Sequence, residues 1–204
     1  MNIARSWITP IRIALHLLCA LPASYLIYSF FYGSLGFNPI ETLTHQTGIW
    51  ALRILLLSLA ITPLRLLLNT PQLLTYRRLL GLWAFAYALI HFAIYLTFDL
   101  QFSIALIIDD VLRRPYLTAG FTALAIMIPL TITSTNGWQR RMRANWGKLH
   151  KLVYISAIAA ILHFVWLRKG FQIEPLIYAG ILIALFAQRL WNKFSPNFKP
   201  ASSK

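Results

Sequence analysis

Negative charge is what this sequence has least of: five acidic residues, Glu41, Asp99, Asp109, Asp110 and Glu174, against 19 lysines and arginines in 204 residues. Charged residues of both signs make up only 12% of the chain, where a soluble domain carries roughly 25%. So few charges cannot cover a water-soluble fold, and 58% of the residues are hydrophobic, with a mean hydropathy of +0.63. Cysteine is almost absent as well. The single Cys19 lies in an apolar stretch, which excludes an intramolecular disulfide and any cysteine-built metal centre. No G-x-G-x-x-G occurs, and the polar breaks are too short to hold a soluble nucleotide-binding module. A net charge of +14 would suggest nucleic acid in a soluble protein. Here the basic residues punctuate apolar runs instead of forming a patch, so nucleic acid is excluded as a partner and membrane lipid takes its place.

What fills the chain is a succession of apolar runs. About 20 such residues cross the hydrocarbon core, and six stretches qualify: 11–31, 48–68, 79–98, 116–135, 149–167 and 175–191. This predicts an all-α integral membrane bundle of six transmembrane helices, with 1–204 as a single domain. The N-terminal run resembles a signal peptide near Leu21-Pro22-Ala23-Ser24, but it continues apolar through Phe31 and reads as a retained first helix. No internal repeat stands out, and the tail from Phe194 to Lys204 reads as disordered.

Lysine and arginine accumulate on the cytoplasmic side of membrane proteins. With the N-terminus inside, 14 of the 19 basic residues fall on cytoplasmic ends, leaving Arg53, Arg113, Arg114, Arg168 and Lys169 outside with all five acids. Both termini are therefore expected in the cytoplasm, with 32–47, 99–115 and 168–174 as outer loops.

An ionisable side chain inside a membrane is costly and is a functional candidate by default. His91 falls in the outer half of span three and His163 in the outer half of span five. These spans run in the same direction, so the two imidazoles can face each other in the bundle core, where bundles hold cofactors. Imidazole is a common axial ligand of haem iron. His150 opens span five 13 residues earlier, about 20 Å along the helix and at the opposite depth. Fourteen residues before His91, on nearly the same face, stands Arg77 instead of a histidine. Spacing alone allows two haems without requiring them. His16, with no obvious partner, and His45, in the outer loop or at the start of span two, read as structural. Arg53, Arg77 and Arg78 are open to either snorkelling or pairing with haem carboxylates. Trp83, Trp138, Trp146, Trp166 and Trp191 read as interfacial belts without chemistry.

Arg77-Arg78-Leu79-Leu80-Gly81-Leu82 followed by His91, and Trp146-Gly147-Lys148-Leu149-His150-Lys151-Leu152-Val153-Tyr154 followed by His163, resemble the ferric reductase-like transmembrane superfamily. The resemblance covers essentially the whole chain and is nearest to compact six-span members without a flavin domain. It implies a haem b subunit of the bacterial inner membrane, non-catalytic itself, serving a periplasmic MsrP-like molybdenum-cofactor enzyme that reduces methionine sulfoxide in proteins. It further implies the quinone pool or a cytosolic flavin reductase as electron source, with FMN as an associated cofactor, although no segment reads as a flavin site. In the superfamily's pattern His91 and His163 ligate an outer haem, and His150 pairs with position 77. Arg77 departs from that pattern, and guanidinium is a poor metal ligand. Two other functions fit the same composition: a ferric or oxygen reductase component that borrows a flavin module, and a cofactor-free transporter or scaffold whose histidines relay protons.

Overall fold

The computed structural model describes residues 5–167 and 172–194, and the described residues contain helices without any strand. Six stretches are long and apolar enough to cross a membrane: Ser6–Phe31, Pro39–Leu68, Pro71–Asp99, Pro115–Ile132, Ala144–Leu167 and Ile173–Asn192. The expected spans are all present, and the chain is a multi-pass membrane protein. Their helices are α1 (Arg5–Phe31), α2 (Pro39–Leu68), α3 (Leu74–Ile94), a short α4 (Ile104–Arg113), α5 (Pro115–Ile132), two short helices α6 (Asn136–Met142) and α7 (Ala144–His150), α8 (Val153–Leu167) and α9 (Ile173–Phe194). The Lys169-Gly170 break, Arg168 and the tail 195–204 lie outside the described residues.

Two segments expected as loops are helical. Residues 39–47 extend span two, because Asn38 caps the helix by accepting the Glu41 N–H, Pro39 sits in the first turn where its missing N–H costs nothing, and Glu41 complements the dipole. At its other end α2 stops at Asn69, whose left-handed φ of 48° turns its N–H back to the carbonyls of Arg65 and Leu66. The segment 99–115 contains α4, capped by Ser103. Ile104, Ile108 and Leu112 repeat every four residues along one exposed side of α4. Asp110 ties this helix to the end of α3, accepting from the Tyr95 hydroxyl at 2.6 Å and pairing with Arg114 at 3.3 Å.

The core is built from two antiparallel hairpins, α2 with α3 and α5 with α8. Without a hydrophobic drive between helices in lipid, close packing depends on small residues and interhelical hydrogen bonds. Ala84, Ala157 and Ser156 are fully buried, and Ser156 donates to the Ala123 carbonyl at 3.0 Å. Two hydrogen bonds fix the first hairpin's register, His91 with Thr44 and Ser58 with Arg77. In the second, His163 bonds Tyr116 and Ser156 bonds Ala123. A shift of 72 positions carries the first histidine bond onto the second, 44 to 116 and 91 to 163, while the serine bonds do not correspond. The string G-x-x-A-L-x-I accompanies the shift, at Gly48-Ala51-Leu52-Ile54 and again at Gly120-Ala123-Leu124-Ile126. This short correspondence lies within a chain in which no convincing repeat was expected. The shared positions are few and sit where helices touch, hidden among interchangeable apolar residues.

All five acidic residues lie at the end of the bundle where α2, α4, α5 and α9 begin, here called the acidic end; the opposite end is the basic end. Helix α1 packs outside the hairpins and leaves most of its surface uncovered. Its anchor is Tyr87 of α3, whose hydroxyl donates to the Cys19 carbonyl at 2.7 Å and accepts from the Ala23 N–H at 2.9 Å. Pro22 lies between them, so α1 is interrupted where it touches the core.

Candidate functional site

At the acidic end the two hairpins each deliver one histidine. His91 Nδ1 lies 2.7 Å from the Thr44 carbonyl and His163 Nδ1 lies 2.7 Å from the Tyr116 carbonyl. A carbonyl can only accept, so in both rings Nδ1 carries the proton. The lone pair is then on Nε2, and a backbone partner fixes ring orientation as in metal-ligating histidines. The ring centroids are 6.1 Å apart with planes at 77°. An imidazole–iron–imidazole sandwich, with metal–nitrogen bonds of about 2 Å, needs roughly this separation. Among the described residues no three His, Cys, Asp or Glu side chains gather as a metal site. A lone pair of imidazoles suits an iron whose remaining ligands come from a macrocycle. The residues present therefore fit a haem here.

Two glycines make room for the rings. A Cβ on Gly48 would come within 3.0 Å of His91 Nδ1 and Cε1, and one on Gly120 within 2.8 Å of His163 Nδ1. Each glycine lies four residues after the carbonyl that holds the same ring, one helical turn along the same face. Gly48, Gly120 and the carbonyls of Thr44 and Tyr116 are site elements that histidine counting missed. The recurring G-x-x-A-L-x-I was the signal that could have found them. His45 is inside α2, not in a loop, with its ring 6.1 Å from that of Phe164, at the edge of the same site.

The basic end is arranged differently. His150 ends α7, its Nε2 is 3.0 Å from the Thr133 hydroxyl, and its ring stacks on Trp146 with centroids 4.0 Å apart. Trp146 in turn donates to the Thr133 carbonyl at 2.9 Å, so this tryptophan fastens α7 to α5. No hydrogen bond joins Arg77 to His150 among the described residues. The Arg77 backbone carbonyl accepts from Ser58 at 3.0 Å. A haem between His150 and Arg77 fits these residues less directly, because the His150 ring is already engaged by Thr133 and would have to turn.

The remaining candidates take structural positions. His16 has a partner after all, accepting the Trp83 indole N–H at 2.9 Å, which places Trp83 within span three and away from a belt. Arg78 donates to Asn136 at 3.1 Å. Arg53 sits 14 residues inside α2, deeper than span two was expected to place it, donates to the Tyr178 hydroxyl at 2.7 Å and covers the Trp50 ring at 5.0 Å.

Residues 47–161, spanning most of both hairpins, match the family described as ferric reductase like transmembrane component. Curated relatives extend the similarity over more of the chain. A protein-methionine-sulfoxide reductase heme-binding subunit MsrQ from Xanthomonas axonopodis pv. citri is 50% identical over 162 residues, 79% of this chain and 74% of that protein. One from Brucella anthropi is 43% identical over 181 residues, 89% of this chain and 82% of that protein. With the family's pattern laid over the hairpins that carry the paired histidines, this chain belongs to the ferric reductase-like transmembrane family.

Proposed function

We propose that this chain is the haem-binding, electron-transferring membrane subunit of a system that reduces methionine sulfoxide in proteins. The observation that carries the reading is the facing pair His91 and His163, each with Nδ1 held by a backbone carbonyl and Nε2 left as a ligand. The names of the MsrQ relatives agree with it. Haem b, when bound, supplies one-electron redox chemistry at its iron. The protein's part is to hold it through His91 and His163, to lock both ring planes through Thr44 and Tyr116, and to keep water out with apolar helices. Such a subunit transfers electrons without itself catalysing the reduction.

His150 and Arg77 are the candidates for a second, basic-end haem. Sulfoxide reduction falls to the partner, a periplasmic MsrP-like molybdenum-cofactor enzyme met at the acidic end. Electrons enter near the basic end from the quinone pool or a cytosolic flavin reductase, and FMN is the cofactor the family resemblance adds. The excess of lysine and arginine at the basic end supports cytoplasmic termini in a bacterial inner membrane. The whole chain acts as one domain in this reading.

Haem per chain, measured as pyridine haemochrome on purified protein, tests the assignment directly. Wild type should contain haem b, and colourless protein would sink the reading in favour of a proton-relaying transporter. Orientation is tested with single cysteines in a Cys19-free background. Gln101→Cys should react with a membrane-impermeant thiol reagent in intact cells, and Gln139→Cys only after lysis; reversed labelling would invert the electron path.

A further inference from the structure

The basic half of the bundle holds an arginine that does not do what arginines near helix ends usually do. Arg189 is five residues before the end of α9, where a long basic side chain can turn outward to the headgroups. Its guanidinium instead points inward. Nη2 donates to the Leu59 carbonyl at 2.6 Å, and Nη1 donates to the Tyr154 hydroxyl, whose ring lies 4.8 Å below the guanidinium carbon. Leu59 is nine residues, about 14 Å of helix, from the end of α2, and it is 1% exposed. Helical side chains lean toward their helix's N-terminus, which for α9 is the far side of the membrane, so the inward direction follows from the backbone.

Arg189 Nε is buried and has no hydrogen-bond partner among the described residues. A second arginine belongs to the same half: Arg77, half-buried and with no side-chain hydrogen bond among the described residues, is tied through its carbonyl to Ser58, the residue before Leu59. Two more buried polar atoms without partners belong to the same half, Thr62 Oγ1, one turn from Ser58 on α2, and the hydroxyl of Tyr76, adjacent to Arg77. No acid is available to them, since all five lie at the acidic end, and the ion pairs among the described residues, Arg113 with Asp109 and Arg114 with Asp110, are there too. A partly desolvated cation without a counter-charge is costly, and buried polar atoms without partners are few enough in native proteins that each calls for a partner.

We propose that Arg189, together with Arg77, binds an oxyanion inside the basic half of the bundle, the carboxylate of a haem held at this end. Guanidinium is well matched to a carboxylate, because it keeps its charge and its Nε–H with an adjacent Nη–H presents two parallel donors to two oxygens. Arg189 is then an anchor for the prosthetic group and not an iron ligand. A phospholipid phosphate offers the same chemistry and is the other source. The haem source rests on the function proposed above, whereas the oxyanion site itself does not.

Purified wild type, Arg189→Gln and Arg189→Lys, washed in detergent to remove loose lipid, are compared for haem per chain, haem midpoint potentials and tightly bound phospholipid phosphorus. The expected result is that Arg189→Gln loses up to half of the haem, or lowers the potential of one haem and leaves the other unmoved, while Arg189→Lys restores both by keeping the charge. If haem is untouched and bound phosphorus falls only in Arg189→Gln, the site stands with a lipid as its source. Unchanged haem, potentials and phosphorus in a folded Arg189→Gln protein overturn the proposal. Should that variant not fold, Tyr154→Phe, which frees one Nη and keeps the charge, must shift one potential or the phosphorus content, and no shift overturns it equally. Wild type without haem would end the proposed function, yet the phosphorus comparison would still decide the site.

Discussion

The two ends of the bundle use the same kinds of residue under different constraints. At the acidic end each imidazole is seated: a carbonyl takes its Nδ1 proton, a glycine leaves space for its ring, and both hairpins repeat the arrangement 72 positions apart. At the basic end one histidine rests on a tryptophan and a threonine, and arginines 77 and 189 occupy the interior without acids. Local geometry alone orients the pair of imidazoles at the first site. The second is an electrostatic arrangement whose polar groups await something negative. The likeness of the two hairpins therefore holds at one end of the bundle and not at the other.

The largest effect that could break this comparison is loss of the acidic-end pair. His91→Ala and His163→Ala should each abolish the haem bound there, because either change leaves the iron without an axial bond. Full occupancy with an unchanged Soret spectrum in both variants would show that the seated rings serve another purpose. Next in size is the basic end. His150→Ala should lower haem per chain by up to half while preserving the acidic-end spectrum, and Arg77→His should strengthen a low-spin bis-histidine signature. A single-haem protein indifferent to both changes would leave His150 as packing.

Smaller and more discriminating are the glycines. In a helix, alanine is favoured over glycine by roughly 1 kcal/mol, whereas forcing a methyl into a packed site costs about 1–3 kcal/mol. At Gly120 the 2.8 Å approach demands that something shift, so Gly120→Ala should lower thermal stability and haem occupancy together. At Gly48 the 3.0 Å approach leaves the two contributions closer to balance. Gly48→Ala should retain stability while changing the electron paramagnetic resonance g-values of the acidic-end haem. Equal behaviour of the two variants would mean the hairpins are not as distinct as their clearances indicate. The smallest expected effect is that of His45→Ala, which should keep haem occupancy intact, since its ring borders the site against Phe164. Haem loss in a folded His45 variant would reassign the ligands.

Hydropathy made the six spans legible, because a 30 Å hydrocarbon layer enforces runs of about 20 apolar residues whatever their tertiary partners. The depth of His91 and His163 followed from the same count. Helix starts were less legible. The start of α2 at Pro39 depends on an Asn cap and a Pro in the first turn, signals that a hydropathy window averages away. α4 has apolar residues on only one side and falls below any spanning threshold. The direction of a long side chain was hidden too: Arg189 counts as one more basic residue at the end of span six until its hydrogen bonds to Leu59 and Tyr154 show that it turns into the bundle. Gly48 and Gly120 carry no chemistry of their own, so only the rings they admit identify them.

The phenol of Tyr87 bridging Cys19 and Ala23 changes what an amide of α1 reports. An ordinary helical N–H exchanges with solvent when its own helix frays. The Ala23 N–H is held by a hydroxyl from α3, beside a proline that interrupts the ladder. Its protection therefore depends on the docking of α1 as well as on the helix itself. Deuterium uptake at that single position, compared between wild type and Tyr87→Phe, would gauge how much of that protection docking contributes.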